Sequence, residues 1–366
     1  MKNRIGILGG YVIKGSYHMT VWNDILSQVD NLHNVVELHG RADRKVLEKA
    51  ARLAEKAGRI IFTGVGSGLN ATIPAAYYLM SHGYSAQYID TTELIYNLPP
   101  GIKGCVLVLN TRSGETADLI RAAEIARQQG ISTIAITNEI NSTVARLADV
   151  CMPTYSRWDD LVVISAYGGM LASELVLAGQ ILGKLDEMLA DLRAAADTIG
   201  DTLKQSIEKR ETLSRLFAQS RPIYLLGRGP SVASTHGGAL VIEEMSRRPV
   251  VAMATGLFRQ GPIEVVDEHF QAMLFEGAGE PARLNRILAH ELLKKGAGLA
   301  WIGTQPLEGA VNILLPKLPA YILPLLEIIP CQVLAHDLTR LAGIEPGMVR
   351  YIQKVITGEE GFPSEQ

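Results

Sequence analysis

The chain has 366 residues, enough for two or three domains with a full core in each, so a small disulfide-stapled scaffold is excluded. Its 35 Lys and Arg against 38 Asp and Glu leave a formal charge of −3, which offers no positive field to hold a nucleic-acid backbone. With 47% hydrophobic and 20% charged residues, it has too much to bury and too little self-repulsion to stay disordered.

Residues 1–50 read as an N-terminal helical segment. Its first residues offer no apolar core before a small-residue cleavage site, and Lys14 breaks the run, so a cytoplasmic, reducing location is expected. From residue 59 onward short β-branched runs alternate with helical stretches, the pattern of parallel strands buried on both faces and covered by helices. Residues 60–63 predict a strand that ends in Gly64-Val65-Gly66-Ser67-Gly68, followed by a helix over 72–82 and a strand over 87–90. Residues 106–110 predict the next strand, which stops at Thr111-Arg112-Ser113-Gly114-Glu115-Thr116. Leu119, Ala122, Ala123, Ile125 and Ala126 then recur at helical spacing up to Gly130. Strands over 133–137 and 150–152 complete the sheet, and a long apolar helix over about 161–182 packs on it.

A charged stretch over 186–221 reads as a linking helix pair, after which the pattern starts again. Residues 223–226 running into Gly227-Arg228-Gly229 mirror 60–63 and their glycines. Residues 272–275 running into Glu276-Gly277-Ala278-Gly279-Glu280 mirror 106–110 and their loop, and 299–302 mirror 133–137. The reading is two α/β units in tandem: 1–50 helical, 51–185 first unit, 186–220 helical linker, 221–345 second unit and 346–366 tail. The apolar run 318–329 contains Glu327 and two prolines and is too short to cross a bilayer, so no membrane association is expected. Cys105, Cys151 and Cys331 lack any zinc or disulfide spacing, and no metal is expected.

The two copies differ in their loops. Thr111, Ser113 and Thr116 sit where a strand ends and a helix begins, so hydroxyls and end-of-helix N–H groups could converge on one anion such as a phosphate; simple helix capping produces the same pattern. The second copy has no hydroxyl there. The glycines at 64–68, with Asp90 as a ribose ligand, invite a dinucleotide reading, but Leu69 stands at the third glycine position and a tight strand-to-helix turn serves equally. No cofactor is expected.

Three stretches resemble the tandem sugar isomerase (SIS) domain family, in particular the isomerase half of glucosamine-6-phosphate synthase. They are Thr111-Arg112-Ser113-Gly114-Glu115-Thr116-Ala117-Asp118; Leu226-Gly227-Arg228-Gly229 with Gly238-Ala239-Leu240-Val241-Ile242-Glu243-Glu244; and residues 256–262. The resemblance implies two flavodoxin-like parallel sheets, a homodimer whose sites a neighbouring subunit completes, and a phosphorylated sugar as ligand. It places the phosphate loop on Thr111, Arg112, Ser113 and Thr116, with Gly64 and Ser67 beside it. It places the base that moves a proton between C1 and C2 on Glu244, the tail lysine that closes over the sugar on Lys354, and a sugar-touching serine near Ser165. A carboxylate in such a role needs a pKa near working pH, which a closed pocket supplies; on the bare sequence Glu244 could equally pair with Arg247 or Arg248.

The departures bear on the reaction. Gln260 stands where the family keeps a ring-opening histidine, Val241 replaces a lysine three residues before the base, and Arg112 replaces a glutamine. His236 is two turns, about 12 Å, before Glu244, too far for a direct pair, while His18 and His336 could act through subunit contacts. The chain opens without a cysteine nucleophile, so no glutaminase is expected within this polypeptide. The expected function is a metal-free isomerase, amino-sugar phosphate deaminase or ketosamine-6-phosphate deglycase; the deaminase or deglycase branch is favoured because a deglycase, whose ketosamine substrate spends more time open, tolerates the loss of the histidine. The alternatives are a non-catalytic phosphosugar sensor and, more remotely, a dinucleotide oxidoreductase.

Overall fold

The alternation of buried runs and amphipathic stretches folds into two parallel sheets. The structure, a computed structural model, describes residues 20–42, 44–97, 102–159 and 162–352. Helices α1 (Val21–Arg41) and α2 (Arg44–Ala57) lead into β1 (Arg59–Gly64), α3 (Ser67–Ser81), β2 (Ser85–Asp90) and α4 (Thr91–Tyr96). Then come β3 (Val106–Thr111), α5 (Ala117–Gln129), β4 (Ser132–Thr137), α6 (Thr143–Leu147) and β5 (Val150–Pro153). Helices α7 (Ser165–Ile181), α8 (Leu185–Glu208) and α9 (Arg210–Leu216) connect to β6 (Ile223–Gly227), α10 (Val232–Ser246), β7 (Val250–Ala254) and α11 (Thr255–Phe258). The chain continues through β8 (Gln271–Phe275), α12 (Glu280–Lys294), β9 (Gly298–Gly303), β10 (Val311–Leu314) and α13 (Pro324–Leu341).

The sheets have orders β2-β1-β3-β4-β5 and β7-β6-β8-β9-β10, and every pairing is parallel. The repeat read from the sequence is therefore one topology used twice. In β3 every residue is buried, and its side chains alternate between two cores. Val106 and Val108 join one cluster with α1, α2, α3 and α7, whereas Leu107 and Leu109 join another beneath α4 and α5. The second sheet repeats this, with Met273 and Phe275 facing the first cluster and Ala272 and Leu274 facing α12. Since the first cluster takes one face of both sheets, α7, α8, α10 and α13 lie in a core common to the two units.

Some elements differ from the reading. The helix expected over 72–82 begins at Ser67, because Gly66 at φ +54° turns the chain straight out of β1. The helix expected from 161 begins at Ser165, capped by the Asp159 carboxylate, which accepts from the backbone N–H groups of Ile164, Ser165 and Ala166. The sequence did not announce β7, β10 or α13: the two strands are short and half-buried, and α13 carries Pro324 in its first turn and Pro330 inside. Among the described residues no helix is long and apolar enough to cross a membrane.

Candidate active site

In each sheet the two central strands send their chains to opposite faces, which opens a crevice at the strands' carboxyl ends. In the first unit the crevice lies between the β1–α3 turn and the β3–α5 loop. That loop is shaped by its own hydroxyls: Thr111 Oγ1 accepts from Gly114 N (3.1 Å) and Ser113 Oγ accepts from Glu115 N (3.2 Å). A hydroxyl that accepts an N–H keeps its own proton to donate, so both can still bind an anion. Thr116 is the N-cap residue of α5, yet its side chain caps nothing, which leaves that hydroxyl available as well.

The loop is held from behind by β4 and α6. Asn138 N and Thr137 Oγ1 donate to the Arg112 carbonyl (3.3 and 3.2 Å), and Glu115 is turned away to accept from Thr143 N (2.8 Å). Gly114 sits at φ +65°, and a Cβ there would stand 1.9 Å from Ser142 Oγ, so only glycine fits. On the other side of the crevice a Cβ on Gly64 would meet Leu69 N at 2.6 Å, and Asn110 Nδ2 donates to Gly68 O (2.9 Å). These glycines serve close strand-to-helix packing, with Ser67 opening α3 partly exposed. Asp90, the acid that a dinucleotide would need, is spent on its own turn, accepting from Thr92 N (2.8 Å) and Thr92 Oγ1 (2.6 Å).

Helix α10 of the second unit lies across this crevice. A side chain at Gly66 would touch the Leu240 δ-methyl at 3.5 Å, and Glu244, one turn further on, shares that face of the helix. The adjacent acids have separate fates: exposed Glu243 accepts from Val250 N (3.1 Å), while Glu244 is half-buried. Burial pushes the Glu244 carboxyl up to about 7, against an opposing pull from Arg112. Arg247 and Arg248 donate to main-chain carbonyls of Met348, Ala218, Gln219 and Arg221, so neither pairs with it. Arg112 itself is 9% exposed, its guanidinium stacked over Trp158 at 4.9 Å and donating to the Asp159 carbonyl (3.3 Å).

The other residues named from the sequence have contacts of their own or lie outside the described residues. Ser165 is 1% exposed and its hydroxyl donates to Asp24 O (3.1 Å), which fastens α7 to α1. Gln260 stands exposed on the turn after α11, and Val241 is buried. His336 is buried against Asp337 and Trp22. Lys354 and His18 lie outside the described residues. The second crevice differs from the first: where the first has hydroxyls, Glu276 is bound by Arg286 (2.7 Å) and Thr304 (2.9 Å). Sequence reasoning missed Trp158 and Asp159; the one available signal was an acid a few residues ahead of a helix start.

A family model described as SIS domain matches residues 53–173. The glutamine–fructose-6-phosphate aminotransferase [isomerizing] of Bartonella quintana (strain Toulouse) is 27% identical over 327 residues, 83% of this chain and 53% of that protein. The chain thus spans about half the length of this curated relative. The C-terminal domain of glucosamine-fructose-6-phosphate aminotransferase from Francisella tularensis superposes with a TM-score of 0.81 at 20% identity, over 89% of this chain and 97% of that one. Glucosamine-6-phosphate deaminase from Thermotoga maritima gives a TM-score of 0.73 at 20% identity, over 91% and 99%. Both superpositions match the two parallel sheets; they speak to fold, and the chain is about the size of that C-terminal domain.

Proposed function

The chain belongs to the SIS-domain family, and from that premise we propose that it is an enzyme acting on a sugar 6-phosphate, moving a proton between C1 and C2. What carries the reading is one juxtaposition: a half-buried carboxyl with a pKa of about 7 on the same crevice as a loop of three hydroxyls. Thr111, Ser113 and Thr116 would grip the phosphate, with Arg112 and the Gly64 to Ser67 turn bordering it, and Glu244 would be the base. The carboxylate takes the proton from the carbon beside the carbonyl. The C–H pair becomes the C1=C2 bond and the carbonyl π pair moves onto oxygen; the neighbouring hydroxyl then gives its proton to that oxygen and becomes the new carbonyl, while the C1=C2 pair takes the proton back from the carboxyl at the neighbouring carbon. No oxidant is needed.

Gln260 cannot exchange a proton near neutral pH, so a ring-closed sugar would open without help from that position. This favours a substrate that spends more time open, such as a ketosamine, hence a deglycase over a plain isomerase, with an amino-sugar phosphate deaminase beside it. A second copy of the chain, with Lys354 from the tail, would complete the site. The second reading, a phosphosugar sensor without turnover, is supported by Gln260 and Val241. Incubating the protein with fructose 6-phosphate, glucosamine 6-phosphate and a fructosamine 6-phosphate decides between them. Product formation that Glu244→Gln abolishes supports the enzyme. Thermal stabilisation by these compounds without product supports the sensor, and undiminished turnover by Glu244→Gln removes Glu244 from the mechanism.

A further inference from the structure

The loop assigned to the phosphate is backed on one side by residues 154–159, a stretch without helix or strand between β5 and α7. This stretch meets Arg112 at two places. Asn138, whose N–H donates to the Arg112 carbonyl, uses its side-chain amide to donate to the carbonyls of Ser156 (3.0 Å) and Arg157 (3.4 Å) and to accept from Thr154 Oγ1. Further on, Trp158 stacks on the Arg112 guanidinium and the Asp159 carbonyl accepts from it. A binding loop with such a neighbour keeps its geometry only while the neighbour keeps its own.

That neighbour is not relaxed. Tyr155 stands at φ +55°, one of two non-glycine residues in the left-handed region among the described residues, and a side chain there costs free energy that surrounding contacts must offset. Helices α1 and α7 supply those contacts. The rings of Tyr155 and His39 of α1 meet edge to face, 4.9 Å between centroids, and a hydrogen bond between His39 Nε2 and Ser173 Oγ of α7 (2.8 Å) fixes the imidazole. Ser156 packs so tightly on α7 that a Cβ on Gly169 would stand 2.4 Å from Ser156 Cβ. Beside them Asn31 of α1, 2% exposed, uses its whole amide: Oδ1 accepts from Arg157 N (2.7 Å), while Nδ2 donates to Ser156 Oγ (3.1 Å) and to Ser165 O (3.0 Å). A planar amide with its oxygen and both its protons engaged allows residues 156 and 157 one placement against α1.

We propose that Asn31 is a positioning residue for the phosphate loop: it holds the strained 155–157 turn, and through Asn138, Trp158 and Asp159 that turn sets the Arg112 side of the loop. The inference rests on the phosphate reading of the Thr111 to Thr116 loop. None of the three partners of Asn31 belongs to that loop, so its effect passes through residues 156–159. Gln28, one turn earlier on α1, provides the comparison. Its Nε2 donates to Gln332 Oε1 of α13 (2.8 Å), which fastens the same helix to the fold by a tie that does not involve residues 154–159.

The test compares wild type, Asn31→Ala, Asn31→Asp and Gln28→Ala. With 5-fluorotryptophan at the three tryptophans, the fluorine resonance that Trp158→Phe removes reports the turn. It is expected to shift or broaden in Asn31→Ala and to stay in place in Gln28→Ala. Calorimetry with sorbitol 6-phosphate, which has no carbonyl, reads the phosphate grip. Asn31→Ala is expected to weaken it about tenfold, Asn31→Asp, which keeps the acceptor for Arg157 N–H, about fourfold, and Gln28→Ala less than twofold, whatever each does to the thermal midpoint. In deuterium wash-in from solvent into fructose 6-phosphate, Asn31→Ala should raise KM about tenfold and leave kcat within about threefold, the pattern of lost uniform binding. An unmoved Trp158 resonance, or sorbitol 6-phosphate bound within about twofold of wild type by whichever Asn31 variants fold, overturns the role of Asn31 alone. So does a weakening in Gln28→Ala that matches Asn31→Ala at an equal loss of thermal midpoint. A wild type that binds neither sorbitol 6-phosphate nor inorganic phosphate overturns the phosphate reading of the loop and this inference with it.

Discussion

Glu244 could act as a base only in its ionised form, and burial favours the neutral one, so in the proposed role its pKa of about 7 sets the pH range of activity. The ionised fraction rises with pH through 7. The value of kcat/KM is therefore expected to climb about tenfold per pH unit below that point and to level off above it. A pH profile of the wild type against fructosamine 6-phosphate checks this; a limb centred near pH 4.5, the ordinary carboxylate range, would mean that the working base is some other acid. At this scale the sequence was legible only in part. Nothing in Glu243-Glu244 distinguishes the two acids until the fold gives one of them to Val250 N. Thr111 and Ser113 were visible as hydroxyls at a strand end, but not the N–H groups they accept from. Ser165 falls near the place of a sugar-touching serine in the family, and its hydroxyl meets a carbonyl of α1, a helix more than a hundred residues earlier in the chain.

Elements fixed by local chemistry were legible; those fixed by distant contacts were not. Strands β1, β3, β4, β6 and β9 are apolar runs ending in glycine or threonine, and β8 is an apolar run ending just before Glu276-Gly277; each could be read directly. The start of α7 could not, because it depends on Asp159, a fully buried carboxylate that satisfies three end-of-helix N–H groups. Burial pushes the Asp159 pKa up, while those three donors and Arg112 pull it down. Removing the carboxylate leaves three donors without an acceptor in a dry setting, so Asp159→Ala is expected to cost about 3 kcal/mol, and Asp159→Asn less, since its amide oxygen still accepts. Urea unfolding measures both, and a loss under about 0.5 kcal/mol for Asp159→Ala would show that the cap is not what starts α7. The same residue carries the carbonyl to which Arg112 donates, so one short segment sets both a helix start and the Arg112 side chain.

Duplication was legible across the whole chain because the same strand-turn-helix signature occurs twice, whereas the shared core was not, since it depends on which faces of the two sheets meet. Deep in that core Glu174 of α7 is fully buried, and neither of its carboxyl oxygens meets a hydrogen-bond partner among the described residues. Desolvation therefore pushes its pKa well above the carboxylate range. The sign of the consequence follows from linkage. Above the ordinary glutamate pKa of about 4.3 the unfolded chain ionises while the folded one keeps its proton, so stability is full at low pH and is lost as pH rises toward the folded pKa. The loss runs at about 1.4 kcal/mol per pH unit across that window. Glu174→Met, close in volume and free of charge, should remove this contribution, so its advantage over the wild type is expected to grow with pH above the ordinary glutamate range until the folded pKa is reached. Glu327, whose own pKa stands near 7, is present in both proteins and cancels in the difference. Because α7 lies in the core that both sheets share, the gain should appear as a shift of one cooperative transition for the whole chain. A gain that is flat with pH, or one confined to the first of two separate transitions in calorimetry, would overturn this account of Glu174 and of the common core.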